Sequence, residues 1–284
     1  MRLGLALSGG GLKGMAHVGV LQALEELQIK IDILGGCSSG SLVAALYAMG
    51  YSPSFIKVLF MQYSKQIIKI NSPLISFKLQ SFFSNHTSCI QGLHSGKILE
   101  NLLNRFAFPK GIYSISDLKF PLVIPAVDIK DSKEYIFTNY IPKFSDKKIE
   151  YINQISIGKA VRASSSFPAV FCPCDMEEHC FLDGGILDNI PIQEVKKQNA
   201  DKIIAVNFES NNINENSNLY DIIMKTLDIM GNRMLENSFS YCDYLLTIPI
   251  KDCGLFDLSQ LQQCYQYGYE TTLAHKKEIL KLLF

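Results

Sequence analysis

Residues 31–50 pass from an apolar stretch through a serine-centred turn into a second apolar stretch: Ile31-Asp32-Ile33-Leu34-Gly35-Gly36-Cys37-Ser38-Ser39-Gly40-Ser41-Leu42-Val43-Ala44-Ala45-Leu46-Tyr47-Ala48-Met49-Gly50. The pattern predicts a strand before the turn and a buried helix from Ser41 to Met49, ending at Gly50. A serine flanked by Gly36 and Gly40 between strand and helix can expose its hydroxyl. The following N–H groups then lie near any negative charge that forms there. Ser38 is therefore a candidate nucleophile, although G-x-S-x-G alone is a loose pattern.

Strand and helix patterns alternate along the rest of the chain. Strands are predicted at 3–8, around 31–34, and at 121–127, 134–138, 202–207 and 244–248. Helices are predicted at 16–27, 41–49, 96–106, 219–235 and 257–283. This alternation predicts an α/β fold with a largely parallel sheet and helices on both of its faces.

The composition is balanced, with 27 Lys plus Arg against 27 Asp plus Glu, so nothing in the overall charge points to nucleic acid. The amino-terminal apolar run is too short for a signal peptide, and the longest uncharged stretch, 33–56, is broken by glycines, serines and Pro53. Eight cysteines without a secretion signal are typical of reduced thiols. We therefore expect a cytoplasmic protein, while an effector exported by a dedicated machine would have the same features.

The run Gly9-Gly10-Gly11-Leu12-Lys13-Gly14 follows the first predicted strand and opens the first helix. It matches G-x-G-x-x-G, so a dinucleotide-binding protein is one interpretation. That interpretation requires an acidic residue at the end of the second strand, whereas Asp32 lies near its start. Glycines at a helix start also present N–H groups that an oxyanion can approach, and a tight turn without chemistry is the third interpretation.

A serine nucleophile needs a base, and the sequence offers two candidates. In an α/β-hydrolase the base would be His275, but this residue lies on a charged helical face and Ser38 comes too early in the chain. The other candidate is Asp183, which follows a short apolar strand and precedes Gly184 and Gly185. The glycines allow a turn that presents its carboxylate, and an ordinary Asp-Gly turn is the alternative.

Together these elements resemble the patatin-like phospholipase family. The glycine-rich turn, the serine elbow and the Asp-Gly-Gly turn occur in the family's order, and the likeness extends over roughly residues 3–250. Its longest matching stretches are Leu7-Ser8-Gly9-Gly10-Gly11-Leu12-Lys13-Gly14-Met15-Ala16-His17-Val18-Gly19-Val20-Leu21, Ala163-Ser164-Ser165-Ser166-Phe167-Pro168-Ala169-Val170-Phe171, and Phe181-Leu182-Asp183-Gly184-Gly185-Ile186-Leu187-Asp188-Asn189-Ile190-Pro191.

The resemblance implies a three-layer α/β/α fold in a single domain over 1–284, with a core at about 3–250 and a carboxyl-terminal helix at about 257–283. It implies lipid acyl esters as substrates, no cofactor and no metal, with Ser38 as nucleophile and Asp183 as proton acceptor in a dyad without histidine. It also implies an oxyanion hole lined by Gly9, Gly10 and Gly11. The supporting motif positions are Lys13, Gly14, Gly36, Gly40, Gly184 and Gly185. The family often has arginine where Lys13 stands.

An aspartate with its ordinary pKa near about 3.9 would keep such an enzyme active below pH 6, where a catalytic histidine would be protonated, whereas burial of Asp183 would raise its pKa and reduce this difference. The same fold and site could serve a thioesterase or another esterase.

Two further groups of residues have alternative interpretations. No acidic residue lies between Asp32 and Glu100, and the segment mixes lysines with apolar residues, mainly over 55–83. This composition suits a cap that rests on anionic lipid, or else a helical layer with solvated lysines. Cys172, Cys174, His179 and Cys180 lie close enough in sequence for a zinc site, but 170–174 and 180–183 also read as two strands of a hairpin.

Overall fold

A seven-strand path forms the centre of the computed structural model, which describes residues 1–68, 92–143, 148–209, 222, 225–226, 229–231, 233, 238–250 and 258–283. The strands are β1 (Leu3–Leu7), β2 (Ile33–Gly36), β3 (Gly92–His94), β4 (Leu122–Asp128), β5 (Lys133–Thr138), β6 (Ile149–Ile152), β7 (Ala169–Phe171), β8 (Cys174–Met176), β9 (His179–Asp183), β10 (Lys202–Phe208) and β11 (Tyr244–Ile248). The helices are α1 (Met15–Glu26), α2 (Ser39–Ala48), α3 (Pro53–Ile68), α4 (Lys97–Ala107), α5 (Ile157–Ser164), α6 (Ile192–Lys197), α7 (Leu261–Ala274) and α8 (Lys276–Leu283).

The main sheet has the strand order β11-β10-β1-β2-β4-β5-β6. Every pairing from β11 to β4 is parallel, whereas β5 pairs antiparallel with β4. The prediction of a largely parallel sheet is therefore confirmed. The carboxyl ends of β1, β2 and β10 meet at one edge, where parallel α/β sheets commonly place their ligands.

One edge of β4 brings two distant parts of the chain together. Its first residues, Leu122 and Val123, pair with β2, and its last residues, Ala126–Asp128, pair antiparallel with β9. The other edge is occupied by β5. Strand β9 therefore continues the line of β2 along β4, and Asp183 at its end lies beyond the carboxyl end of β2.

Apolar side chains fill both faces of the sheet. On one face Leu5 and Leu7 of β1 and Val206 of β10 join the large core formed with α1 and α2. On the other face Ala6 and Ala205 pack against Ile192 and Val195 of α6. Because strand residues alternate between faces, the two cores lie on opposite sides of the sheet. This is the predicted three-layer α/β/α arrangement.

The apolar and basic segment is described only in part, since 69–91 lies outside the described residues. In α3 the side chains of Ile56, Leu59 and Phe60 are buried in the large core, and the Lys57 ammonium lies 3.7 Å from the centre of the Tyr265 ring. This part of the segment behaves as a helical layer. The predicted helix at 219–235 is also described only at scattered positions, all helical in backbone.

The predicted carboxyl-terminal helix is divided. A 310 turn at Leu258–Gln260 precedes α7, and His275 separates α7 from α8. Leu261 and Cys264 of α7 and Ile279 of α8 are buried in the large core, so these helices pack into the domain. None of the described helices has the length and apolarity needed to span a membrane.

Candidate active site

Ser38 occupies a strained turn between β2 and α2. Its φ and ψ are 51° and −120°, and it is the residue immediately before α2. A non-glycine residue with such dihedrals costs about 1–3 kcal/mol and persists only where its surroundings hold it. The flanking glycines permit the close approach that this turn requires. A Cβ at Gly40 would lie 2.6 Å from the carbonyl oxygens of Leu7 and Ser8, and one at Gly36 would lie 2.4 Å from the carbonyl oxygen of Gly40.

The end of α5 and the residues that follow it join this turn to the end of β9. Ser38 donates its backbone N–H to Ser164 Oγ at 3.1 Å, and Asp183 donates its backbone N–H to the carbonyl oxygen of Ser166 at 3.1 Å. Ser164 and Ser166 are both buried. The segment 163–171, singled out in the sequence for its resemblance alone, thus fixes the serine turn and the aspartate relative to each other.

The carboxylate of Asp183 is buried and only partly hydrogen-bonded. Its Oδ1 accepts the Gly185 N–H at 2.8 Å and the Cys37 thiol at 3.6 Å. Its Oδ2 is buried and accepts no hydrogen bond from the part of the chain that the structure describes. A buried acceptor without a donor is costly, and such groups concentrate at functional sites.

Burial raises the pKa of Asp183 to about 6, against the opposing effects of the Ser38 side chain, the Gly185 N–H and the Cys37 thiol. Ser38 is thus close enough to act on the carboxylate, although it does not complete a hydrogen bond to Oδ2. The pKa of Asp183 therefore follows the burial-raised alternative rather than the ordinary value. The reason is the low polarity around the carboxylate.

The glycine turn lies directly against Ser38. A Cβ at Gly9 would be 3.1 Å from Ser38 Cβ and 2.6 Å from Asn189 Oδ1. The Gly9 N–H is already engaged, because it is donated to Asn189 Oδ1 at 3.1 Å and to the Asn189 carbonyl oxygen at 3.2 Å. Within the described chain, the N–H groups of Gly10 and Gly11 have no acceptor, so they are the donors that this turn can offer a ligand. The oxyanion hole itself stays a prediction. Of the three glycines predicted to line it, only Gly10 and Gly11 have an N–H group available for an oxyanion within the described chain.

Asn189, like Ser164 and Cys37, belongs to this site although the sequence motifs did not predict it as a participant. Its side chain ties the loop after Asp183 to the glycine turn, and Oδ1 lies 3.1 Å from where a Gly185 Cβ would be. The only sequence signal was its place in the quoted stretch 181–191.

The remaining motif residues lie around the same turns. Lys13 is buried in the 310 turn Gly11–Gly14, and a Cβ at Gly14 would lie 2.6 Å from Ser39 Oγ. A Cβ at Gly184 would lie 2.4 Å from the carbonyl oxygen of Pro125. The sequence-predicted residues at the three turns are thus brought together at the carboxyl edge of the sheet.

Three of the described histidines bind groups other than Ser38 and Asp183, although the Ser8 carbonyl oxygen that contacts His17 adjoins the glycine turn. His275 Nδ1 is 2.6 Å from the Tyr244 hydroxyl on β11, which lies three strands, or about 14 Å, from β2. His17 Nε2 is 2.8 Å from the Ser8 carbonyl oxygen, and burial lowers the pKa of this imidazole to about 4. His179 Nδ1 is 2.7 Å from Asp128 Oδ2. His86 lies outside the described residues.

The zinc site and the dinucleotide site that the sequence allowed both lack the arrangement of residues that they require, within the described part of the chain. Cys174 and His179 belong to the hairpin β8–β9, in which Cys174 pairs with Phe181. The described residues contain no group of three His, Cys, Asp or Glu side chains that could hold a metal ion. Asp32, which a dinucleotide would need at the end of β2, precedes that strand and instead accepts the Leu3 N–H at 3.0 Å.

Comparison with known proteins gives a consistent result. A family model for patatin-like phospholipase matches residues 5–196. Patatin-like phospholipase domain-containing protein 6 of Mus musculus is 26% identical over an alignment of 299 residues, gaps included, which covers 94% of this chain and 20% of that protein. Lysophospholipase NTE1 of Candida albicans is 30% identical over 208 residues, which cover 73% of this chain and 13% of that protein. The chain thus spans about a fifth or less of the length of these relatives.

Among solved structures, VipD from Legionella pneumophila has a TM-score of 0.52 at 15% identity, over 96% of this chain and 66% of that one. At this identity the likeness concerns the fold.

Proposed function

Because the chain belongs to the patatin-like phospholipase family, we propose that it is a serine acyl hydrolase that cleaves the fatty-acyl ester bonds of phospholipids or lysophospholipids. Ser38 is the nucleophile and Asp183 the proton acceptor. The observation that carries this proposal is the pairing of a strained Ser38 with a buried Asp183 whose Oδ2 has no donor in the described chain. Strain and an unsatisfied carboxylate side by side are hard to explain by stability alone.

In the first half-reaction Ser38 Oγ attacks the ester carbonyl carbon while its proton passes to Asp183. The electron pair of the carbonyl moves to its oxygen, and the N–H groups of Gly10 and Gly11 face the resulting oxyanion. The amino terminus of α2, which begins at Ser39, adds favourable electrostatics. Collapse of the tetrahedral intermediate breaks the bond to the alcohol oxygen, which takes the proton from Asp183 and leaves.

In the second half-reaction the acyl group remains on Ser38. Water gives a proton to Asp183 and attacks the acyl carbonyl, and the bond to Ser38 Oγ breaks as the serine regains that proton. The products are the free fatty acid and the unchanged enzyme. A base with a pKa of about 6 is ionised near neutral pH and still basic enough to accept a proton.

Lipid esters are the substrate class that fits the family and the names of its relatives, one of which is called a lysophospholipase. Peripheral contact with a membrane follows from such a substrate, in a protein we place in the cytoplasm or among exported effectors. A thioesterase would use the same residues, and no feature of the described site favours it. Dinucleotide binding is disfavoured, because the Gly9 N–H is engaged by Asn189 and Asp32 lies before β2.

A fluorophosphonate probe and a lipid assay test the proposal together. The wild-type chain should be labelled covalently at Ser38 and should release fatty acid from phospholipid or lysophospholipid vesicles, and Ser38→Ala should do neither. Labelling without lipid hydrolysis would support a serine hydrolase with Ser38 as nucleophile but would reject lipid esters as its substrates. Absence of labelling in a folded wild-type protein would reject the nucleophile.

A further inference from the structure

The thiol of Cys37 lies beside the carboxylate of Asp183. Cys37 comes directly before Ser38 and is 0% exposed, and its Sγ is 3.6 Å from Asp183 Oδ1, which is within hydrogen-bonding distance for sulfur. A cysteine is a small, apolar side chain that carries a weak S–H donor. The residue next to the proposed nucleophile therefore also contacts the proposed base.

The backbone of Cys37 is held from both sides. Its N–H is donated to the Leu7 carbonyl oxygen, at the end of β1, at 3.1 Å. Its carbonyl oxygen accepts the N–H groups of Gly40 and Ser41, at the start of α2, at 2.7 and 3.3 Å. Because a cysteine side chain has a single heavy-atom torsion, a fixed backbone leaves its sulfur only a few staggered positions. The contact with Asp183 is thus determined by β1 and α2.

The Cys37 thiol retains its proton and can therefore act as a donor. Burial raises the pKa of Cys37 well above its usual value, and the carboxylates of Asp183 and Asp188 raise it further, against the effect of a hydrogen bond with the Ser164 hydroxyl. Only a thiolate would compete with Ser38 as a nucleophile. The protonated thiol instead supplies an S–H group to Asp183 Oδ1.

The two oxygens of the Asp183 carboxylate are consequently different. Oδ1 accepts two donors, the Gly185 N–H at 2.8 Å and the Cys37 thiol at 3.6 Å, whereas Oδ2 accepts none from the described chain. The torsion that rotates a carboxylate about its Cβ–Cγ bond is broad and soft. Two donors on one oxygen, one from the turn after β9 and one from the serine elbow, oppose this rotation and leave Oδ2 for the Ser38 proton.

Ser164 connects the same thiol to the backbone of the nucleophile. Its Oγ accepts the Ser38 N–H at 3.1 Å, and its hydroxyl is hydrogen-bonded to the Cys37 side chain. The hydrogen bonds thus run from the Ser38 N–H through Ser164 and Cys37 to Asp183. Ser164, Cys37 and Asp183 are all buried, so water does not compete for these bonds.

From this arrangement we infer that Cys37 is a positioning residue for the acyl hydrolase reaction, whose thiol donates to Asp183 Oδ1 and so keeps Oδ2 directed toward Ser38. The inference rests on the proposed function, because it requires Ser38 as nucleophile and Asp183 as base. Cys37 acts only through Asp183. The alternative, that Cys37 merely fills space behind the elbow, predicts a loss of stability without a change in the titration of Asp183.

The main test compares Cys37→Ala with Cys264→Ala in the pH dependence of kcat and KM on a soluble ester. Cys264 is a matched control, because it lies on α7, is 1% exposed, and loses the same atom from the core. Cys37→Ala should lower kcat by about three- to tenfold and leave KM within about twofold, because the carboxylate is less firmly oriented. The acid limb of kcat/KM should move up by about 0.5 to 1 pH unit, because the ionised carboxylate loses a donor.

The two other variants complete this comparison. Cys264→Ala should change neither kcat nor the acid limb, and Cys37→Ser, which retains a hydroxyl donor, should recover part of both. A fall in kcat with the acid limb in place, or an equal shift in Cys264→Ala, would overturn the proposal, because either result indicates a packing role. A change in KM alone would also overturn it, since it would place the thiol against the substrate. Circular dichroism melting checks the fold of each variant.

The titration of Asp183 itself distinguishes failure of this proposal from failure of the proposed function. It is followed by 13C NMR of protein labelled at the aspartate carboxyl carbons, and the resonance is assigned by its absence in Asp183→Asn. Asp188 needs this separation, because burial and Glu194 raise its pKa to about 7 against the effect of Lys197. In Cys37→Ala the midpoint of Asp183 should rise, and an unchanged midpoint would overturn the proposal. A raised midpoint in a protein whose wild type hydrolyses no ester would support the thiol–carboxylate bond and reject the acyl hydrolase.

Infrared spectroscopy of the wild-type protein replaces these measurements if Cys37→Ala is unfolded. A thiol that donates to an ionised carboxylate forms a stronger hydrogen bond than one that donates to a neutral carboxyl group, so its S–H stretching band lies at lower frequency. Raising the pH from about 5 to about 8 should shift one S–H band downward in wild type and not in Asp183→Asn. The same spectra in both proteins would overturn the proposal.

Discussion

Two aspartates flank β2, one at each end, and their surroundings differ sharply. Asp32, just before the strand, accepts the Leu3 N–H and forms an ion pair with Lys30 at 2.7 Å. Burial opposes its ionisation, but Lys30 and the Leu3 N–H prevail and hold its pKa below the ordinary value. Asp183, beyond the other end, is more deeply buried, has an oxygen without a donor in the described chain, and has its pKa raised to about 6.

The difference separates a carboxylate that stabilises the fold from the proposed catalytic one. A satisfied carboxylate adds stability, whereas an unsatisfied one beside a strained serine costs stability and retains basicity. The size of a nearby cavity does not distinguish the two carboxylates. A groove of about 520 Å³ lies at the amino edge near Asp32, yet there Lys110 donates to the Met49 carbonyl oxygen and Asp117 accepts the N–H groups of Tyr113 and Ser114.

The largest expected effect is the loss of the serine. Ser38→Ala should lower ester hydrolysis by at least about a thousandfold, since no acyl-enzyme can form. Initial rates on a lipid ester and on a soluble ester both measure it, with thermal melting as the check on folding. Residual turnover within a few-fold of wild type would assign the chemistry to another residue.

The two aspartates provide the next test as a matched pair. Asp183→Asn should reduce activity nearly as much as Ser38→Ala, because an amide cannot accept the proton. Asp32→Asn should retain activity within about threefold, because it changes only a partner of Leu3 and Lys30. Equal losses in the two variants would remove the distinction between the ends of β2.

The same two variants should differ in stability as well, and Asp183→Asn, which loses activity, should gain free energy of unfolding. The pKa of Asp183 is higher in the folded protein than the ordinary value of 3.8, so the protein loses stability as pH rises from about 4 to 6. Above pH 7 this loss amounts to as much as about 3 kcal/mol, and Asp183→Asn should recover about 1–3 kcal/mol of it. Asp32→Asn should instead lower the free energy of unfolding by about 1 kcal/mol. Urea unfolding at pH 7.5 measures both.

The pH dependence of catalysis tests the same carboxylate. Asp183 must be ionised to accept a proton, so kcat/KM should fall by about tenfold per pH unit below pH 6 and be level above pH 7. His17, with a pKa of about 4, does not titrate in this range. An acid limb near pH 4 with the fold intact would mean that Asp183 is not buried in the working enzyme.

The turns that carry the proposed chemistry could be predicted from the sequence because each is local. Gly40 must be a glycine for the elbow to approach β1, and Gly36 must be one for the end of β2 to approach the start of α2. The Asp-Gly-Gly turn presents its carboxylate through its own backbone. The contact between β9 and β4, which brings Asp183 to the end of β2, joins residues more than 50 positions apart. The periodic pattern of apolar residues, from which strands and helices are predicted, contains no information about this contact. The pKa of Asp183 and the partnership of Asn189 with Gly9 depend on that packing, so neither could be derived from the residues alone.

Asn189 should have an intermediate effect. Asn189→Ala removes the Oδ1 acceptor of the Gly9 N–H but leaves the carbonyl acceptor, so the glycine turn is loosened rather than lost. We expect kcat to fall by about 10- to 100-fold with a smaller change in KM, since loss of a whole oxyanion donor costs about 100- to 1000-fold. Asn189→Asp, which retains an acceptor at the same position, should recover part of the rate. A change in KM alone would assign Asn189 to substrate binding.

The smallest effect is expected for His275→Ala. This imidazole bonds to Tyr244 on the outermost strand β11, three strands from the elbow, so removing it should change kcat/KM by less than about twofold. Tyr244→Phe, which removes the same hydrogen bond from the other partner, should give the same small change. Both variants are measured with the soluble ester, so that lipid binding does not enter. An inactive His275→Ala enzyme beside an active Asp183→Asn enzyme would make histidine the base, and the unsatisfied carboxylate beside Ser38 would then need a different explanation.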